Sequence, residues 1–179
     1  MQNFRPEFVK FRWDQVSSKG PTNRDAQYIR LVCNQLDKYG LVAPYQTSEH
    51  VGSNGNVSYR LADDGRFIIT ATQLPSKRNL HGRDFVIVDM YEVPTEPTDK
   101  GTAFYRGFKL PSSESILHWY FYDKHPNVNG IIHAHESTEL LYSPDHTLYG
   151  KTLVSLKHHA SVRKVQLTCL CLLQKFWQT

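Results

Sequence analysis

Apolar side chains recur at helical spacing between Asn23 and Tyr39, where Tyr28, Leu31, Val32 and the pair Gln35 to Leu36 mark one face. Gly40 stands just past the last of them, where a helix commonly stops. The period then shortens to two. Val57 to Leu61 reads as a strand, Asp64 with Gly65 as a hairpin turn, and Phe67 to Thr70 as the returning strand. Phe85 to Met90 is another β-branched apolar run, and Glu92 to Thr102 is a loop rich in Pro, Thr and Glu. Helical spacing returns from Glu114 to Lys124, with Ile116, Leu117, Tyr120 and Phe121 on one face and Ser112 or Ser113 as the N-cap. Pro126 to Gly130 ends that helix, and Ile131 to His135 reads as a strand. Val165, Cys169, Leu172, Leu173 and Phe176 predict a closing amphipathic helix.

Composition narrows the class. A chain of 179 residues, 40% hydrophobic and 12% aromatic, suits one domain with one sizeable core. The net charge is +4, but 21 Lys and Arg are interspersed with 17 Asp and Glu, which favours small anionic ligands over nucleic acid. Cys33, Cys169 and Cys171 form no CxxC pair, as expected in a reducing compartment. Arg5, Glu7, Lys10, Arg12 and Asp14 interrupt the segment where a signal peptide needs an apolar stretch, and no run is long enough to span a membrane. The expected location is the cytoplasm.

The nine histidines change the picture more than the charge does, because neutral imidazole is the commonest protein ligand for metals. In Ile131-Ile132-His133-Ala134-His135 a strand's period of two puts both imidazoles on one face. Such a pair can share a metal, and burying two ionisable rings among isoleucines without partners would be costly. Glu114 falls in the first turn of the preceding helix, where the dipole favours a carboxylate and where it can move a proton at a metal-bound substrate. Gly55-Asn56-Val57-Ser58 and Ser112-Ser113 offer a backbone nest and a helix N-terminus to an oxyanion. Lys77 and Arg78 carry positive charge in a segment whose expected place is a solvated loop.

The runs Gly55 to Ser58, Phe67 to Thr72, Leu110 to Glu114 and His125 to His135, in that order and at that spacing, resemble the class II aldolase and adducin family over roughly residues 20 to 175. That resemblance implies an α/β fold, a three-layer α/β/α arrangement around a central, largely antiparallel sheet, assembled as a homotetramer. It implies Zn2+ held by His133 and His135 with Glu114, and Glu114 as the acid/base group. Gly55, Asn56, Thr72, Ser112 and Ser113 match its phosphate-binding positions. The implied activity is a lyase of the aldolase or dehydratase type, acting on a phosphorylated sugar or related anionic carbonyl compound through an enediolate.

Three features depart from the family pattern. Its third histidine, several tens of residues beyond the HxH pair, has no counterpart before Thr179, so residues 1 to 179 are expected to be one domain incomplete at the C-terminus. His158 and His159 fall too early and read as loop residues. Gln73 stands where the family usually has glycine, and Lys77 and Arg78 follow it closely. The alternative to a lyase is therefore a non-catalytic, adducin-like scaffold or an inactive truncated relative.

Overall fold

A computed structural model describes residues 11–47, 51–61, 65–96, 100–136, 152–157 and 166–173, the last two stretches and residues 135–136 by backbone only. Its elements in chain order are β1 (Arg12–Ser17), α1 (Gln27–Lys38), β2 (Pro44–Gln46), β3 (Val51–Ser53), β4 (Asn56–Arg60), β5 (Phe67–Thr70) and β6 (Phe85–Glu92). They continue with β7 (Thr102–Arg106), α2 (Ser115–Lys124), β8 (Gly130–Glu136), β9 (Thr152–Lys157) and β10 (Gln166–Leu173). Among the described residues, eight strands form one sheet in the order β1-β7-β6-β5-β4-β8-β10-β9, and β2 with β3 form a separate ribbon. Within the large sheet β1 and β7 pair in parallel, and the other neighbours pair antiparallel. The architecture is thus mixed α/β, with a large sheet and two helices.

The residues of α1 explain both of its ends. Thr22 and Asp25 exchange hydrogen bonds between side chain and backbone, closing a turn ahead of the helix. The helix proper therefore begins at Gln27 rather than at Asn23. At the other end Gly40 adopts φ +72, Gly40 N–H bonds to Asp37 O and Leu41 N–H to Leu36 O, a Schellman stop at the expected glycine. The buried face differs from the expected one. Ile29 and Cys33 are buried with Val32 and Leu36 against them, while Tyr28 and Leu31 are exposed.

Strand β4 organises the centre. Ser58 pairs with Ile69 of β5 on one side and Ile131 of β8 on the other. Tyr59 reaches the backbone of Asp25 at the approach to α1, whereas Ser58 bonds to side chains of α2. Alternate residues of a strand point to opposite faces, so the two helices are engaged from opposite sides of β4. The main core gathers Val57, Phe67, Ile68, Ile69, Phe85, Val86, Val88 and Ile131 from adjacent strands with Ile29 and Tyr122 from the helices.

Two expectations about helices are corrected. The closing helix expected around Val165 to Phe176 is instead β10, which pairs with β8 and with β9. A nearly continuous apolar run fits a buried strand as well as a helix face, and two available pairing edges decide for the strand. In α2 the buried residues are Ser115, His118 and Tyr122, whereas Tyr120 is exposed, so the helix turns a polar stripe inward. Strands β1, β2, β3, β7 and β9 lie in segments whose sequences lack a clear alternation. His158 and His159 lie outside the described residues, as does Asp64 of the hairpin turn.

Candidate functional site

The expected site residues come from three places where the chain changes direction beside the sheet, and from β8. Gly55 has φ +67, and a Cβ there would overlap the carbonyl oxygen of His133. Only glycine meets both conditions, so β4 can lie close against β8. The pairing sets Asn56 opposite His133, with Asn56 Nδ2 3.3 Å from His133 Nδ1. Both residues are buried. Asn56 Oδ1 is a buried acceptor that has no hydrogen bond among the described residues.

Thr72 and Gln73 follow β5. Ala71 bridges to Pro111, and Thr72 N–H donates to Leu110 O at 2.9 Å, so this turn abuts the entry to α2. There the expected serine cap is corrected: Glu114 occupies the N-cap position, with no side-chain cap bond. Ser112 and Ser115 build the entry turn instead, Ser115 Oγ donating to Ser112 O at 2.6 Å and Glu114 N–H approaching Ser112 Oγ at 3.4 Å. Ser112 is buried and Ser113 half-buried. The structure thus joins Asn56 to His133, and Thr72 to the Leu110 to Glu114 segment. His135 lies two positions along β8 from His133, opposite Thr168 of β10. Among the described residues there is no cluster of three or more His, Cys, Asp or Glu.

Two residues absent from the predicted set are central to the arrangement. His118, one turn after Glu114, is fully buried, and its Nδ1 lies 2.6 Å from Ser58 Oγ. Ser58 Oγ is also 2.7 Å from Tyr122 Oη, which makes a Tyr122-Ser58-His118 chain between α2 and β4. Burial, with the neighbouring His133, pushes the His118 pKa down to about 3, so this imidazole is neutral at physiological pH. Its position four residues after Glu114, on the same helix face, was the available sequence signal.

Lys77 is the second. Instead of being solvated it is buried, donating to Ser53 Oγ at 2.9 Å and Ser53 O at 3.2 Å. Arg78 is exposed and paired with Asp37 at 2.8 Å. Nothing in the local sequence distinguishes these two cations; the fold does.

A profile of the Class II Aldolase and Adducin N-terminal domain matches residues 32–165. The chain belongs to the class II aldolase and adducin family. Among solved structures similar to this chain is L-fuculose 1-phosphate aldolase, 20% identical, with a TM-score of 0.48, covering 68% of this chain and 49% of that one. Another is YgbL of Klebsiella pneumoniae, described as a candidate aldolase/epimerase/decarboxylase, 22% identical with a TM-score of 0.43, covering 64% and 46%. The chain spans about half the length of these structures. No curated protein matches it. Among the described residues no helix is long and apolar enough to cross a membrane.

Proposed function

We propose that this chain carries a zinc-dependent lyase site of the aldolase or dehydratase type for a phosphorylated sugar or related anionic carbonyl compound. The observation that carries the reading is the buried apposition of Asn56 and His133 across β4 and β8. A histidine that ligates a metal through Nε2 must present Nδ1–H to an acceptor. Turning the Asn56 amide over pairs its otherwise unbonded Oδ1 with that N–H and leaves the Nε2 lone pair for a cation. An imidazole held in this way, with a second imidazole two positions along and a carboxylate at a helix start, is a donor set that suits zinc.

In this reading His133, His135 and Glu114 hold the metal, which when bound supplies a Lewis acid that draws negative charge from substrate oxygens. The residues do the rest. Glu114, at the N-cap of α2, takes up and returns a proton at the substrate carbon beside the carbonyl. The backbone at Gly55, the Asn56 amide, Thr72 and the hydroxyls of Ser112 and Ser113 bind the phosphate and set its distance from that carbon. The same reading places the helices in layers on either side of the sheet and the protein, as a homotetramer, in the cytoplasm.

The test is zinc content together with retro-aldol turnover of ketose phosphates by the 179-residue chain and its His133→Ala variant. Stoichiometric zinc and turnover, both lost in the variant, are expected. Protein that binds no zinc and turns over no ketose phosphate would instead support the scaffold alternative.

A further inference from the structure

His118 is held at both its side chain and its backbone. Its Nδ1 lies 2.6 Å from Ser58 Oγ, and its backbone N–H donates to Glu114 O at 3.2 Å. Ser58 stands two residues after Asn56 on the same face of β4, and Asn56 pairs with His133 across the ladder. One connected path therefore runs from His133 through Asn56, β4, Ser58 and His118 to Glu114.

The protons along the Tyr122-Ser58-His118 chain fix its direction. Full burial keeps the imidazole neutral, so Tyr122 Oη, Ser58 Oγ and His118 carry one proton each. Among the described residues, the polar side-chain atoms of these three hydrogen-bond only with one another. If His118 donates from Nδ1, a Tyr122 or Ser58 hydroxyl proton is left without an acceptor, and Nε2 is left as a buried acceptor without a donor. If Tyr122 donates to Ser58 and Ser58 donates to Nδ1, the only group left over is Nε2–H. Stranding a buried polar group is costly, so the arrangement that strands one prevails over those that strand two.

That direction has a chemical consequence. With its proton on Nε2 and its Nδ1 taken by Ser58, His118 has no lone pair to offer a cation, although it neighbours His133. We propose that His118 is a positioning residue, locked as the Nε2–H tautomer by the chain from Tyr122 through Ser58, and that this tether fixes where Glu114 stands relative to His133. The proposal rests on the lyase reading for what Glu114 does there, but not for the tautomer or the tether.

The experiment combines nitrogen-15 NMR of the imidazoles, amide hydrogen exchange, zinc content, thermal melting and steady-state turnover of ketose phosphates. It uses the 179-residue chain as wild type, Ser58→Ala, His118→Asn and His118→Gln. An asparagine amide stands where Nδ1 stood and can still accept the Ser58 proton, whereas a glutamine amide stands at the Nε2 position and cannot. The wild type is expected to show the Nε2–H tautomer. Ser58→Ala and His118→Gln should lose exchange protection at the residue 118 amide, and their kcat should fall about 10²-fold at unchanged KM and zinc content, the scale of a ~1 Å misplacement. His118→Asn should restore both toward the wild type. Ser58→Ala decides the matter alone if a His118 variant does not fold. An Nδ1–H tautomer overturns the proposal. So does a kcat kept by the glutamine and lost by the asparagine, which assigns the role to Nε2–H. A lower melting temperature in every variant with kcat untouched marks a merely structural histidine and also overturns it. A wild type without turnover that still shows the tautomer and the exchange pattern sinks the lyase reading and leaves the tether standing.

Discussion

Ser58 of β4 and His118 of α2 meet at 2.6 Å in the interior, Oγ to Nδ1, and the contact is one of the two links of a chain that ends at Tyr122. It fixes the helix capped by Glu114 to the strand that begins at Asn56. Two segments expected to act together, the one at Glu114 and the one at Asn56, are thereby tied to each other.

His118 makes the fold acid-sensitive. Its pKa is about 3 in the folded chain against a usual value near 6.5, so between those values the unfolded chain binds the extra proton and stability rises with pH. The contribution is fully present above about pH 6.5 and is lost as pH falls toward 3, about 5 kcal/mol in total. Asp25 and Asp84, both held below the usual carboxylate range, add to the loss only at the acid end. Urea denaturation from pH 7 to pH 4.5 should show a steep decline for the wild type and a clearly flatter one for His118→Gln. Equal slopes would disprove the assignment.

Gly55→Ala should destabilise by about 2–4 kcal/mol, since it combines a left-handed backbone with an overlap against the His133 carbonyl. Thermal melting reads the effect directly. An alanine variant within a degree of the wild type would mean that β4 can move away from β8.

Arg60 closes the far end of α2, donating from Nη2 to Tyr122 O at 2.7 Å and from Nε to Val128 O at 3.2 Å, with its guanidinium 4.8 Å from the Tyr122 ring centroid. A lysine keeps the charge but not the planar fork. Arg60→Lys should therefore cost about 1–2 kcal/mol in chemical denaturation, and an unchanged midpoint would show that charge alone suffices.

Asn56→Ala removes the partner of His133 Nδ1 and should weaken binding of Zn2+, or of Co2+ followed by its absorption bands, by about 10- to 100-fold. Unaltered metal affinity would separate Asn56 from the metal and leave it to the phosphate.

Glu114→Gln should lower kcat by about 10²- to 10⁴-fold with KM little changed, the range for losing a general acid/base group. Thermal melting in parallel separates a loss of chemistry from a loss of stability. A variant with wild-type kcat would remove Glu114 from the chemistry.

By itself the sequence determined whatever depends on neighbours a few residues apart. The glycine stop of α1, strands β4, β5, β6 and β8, and the location of α2 all follow from local periodicity and turn chemistry, and the Glu114 and HxH pattern carries the likeness to the family. Tertiary structure decided which faces are buried and which strands pair. The stripe of α2 that turns inward is Ser115, His118 and Tyr122 because Ser58 waits across the interface to bond two of them, and no hydropathy pattern records a partner 60 residues away. The same holds for the last described segment, where a free edge of β8 made a strand of an apparent helix. It holds also for adjacent Lys77 and Arg78, alike in sequence and opposite in burial. Burial is a property of what folds back over a residue, and the chain's local order does not contain it.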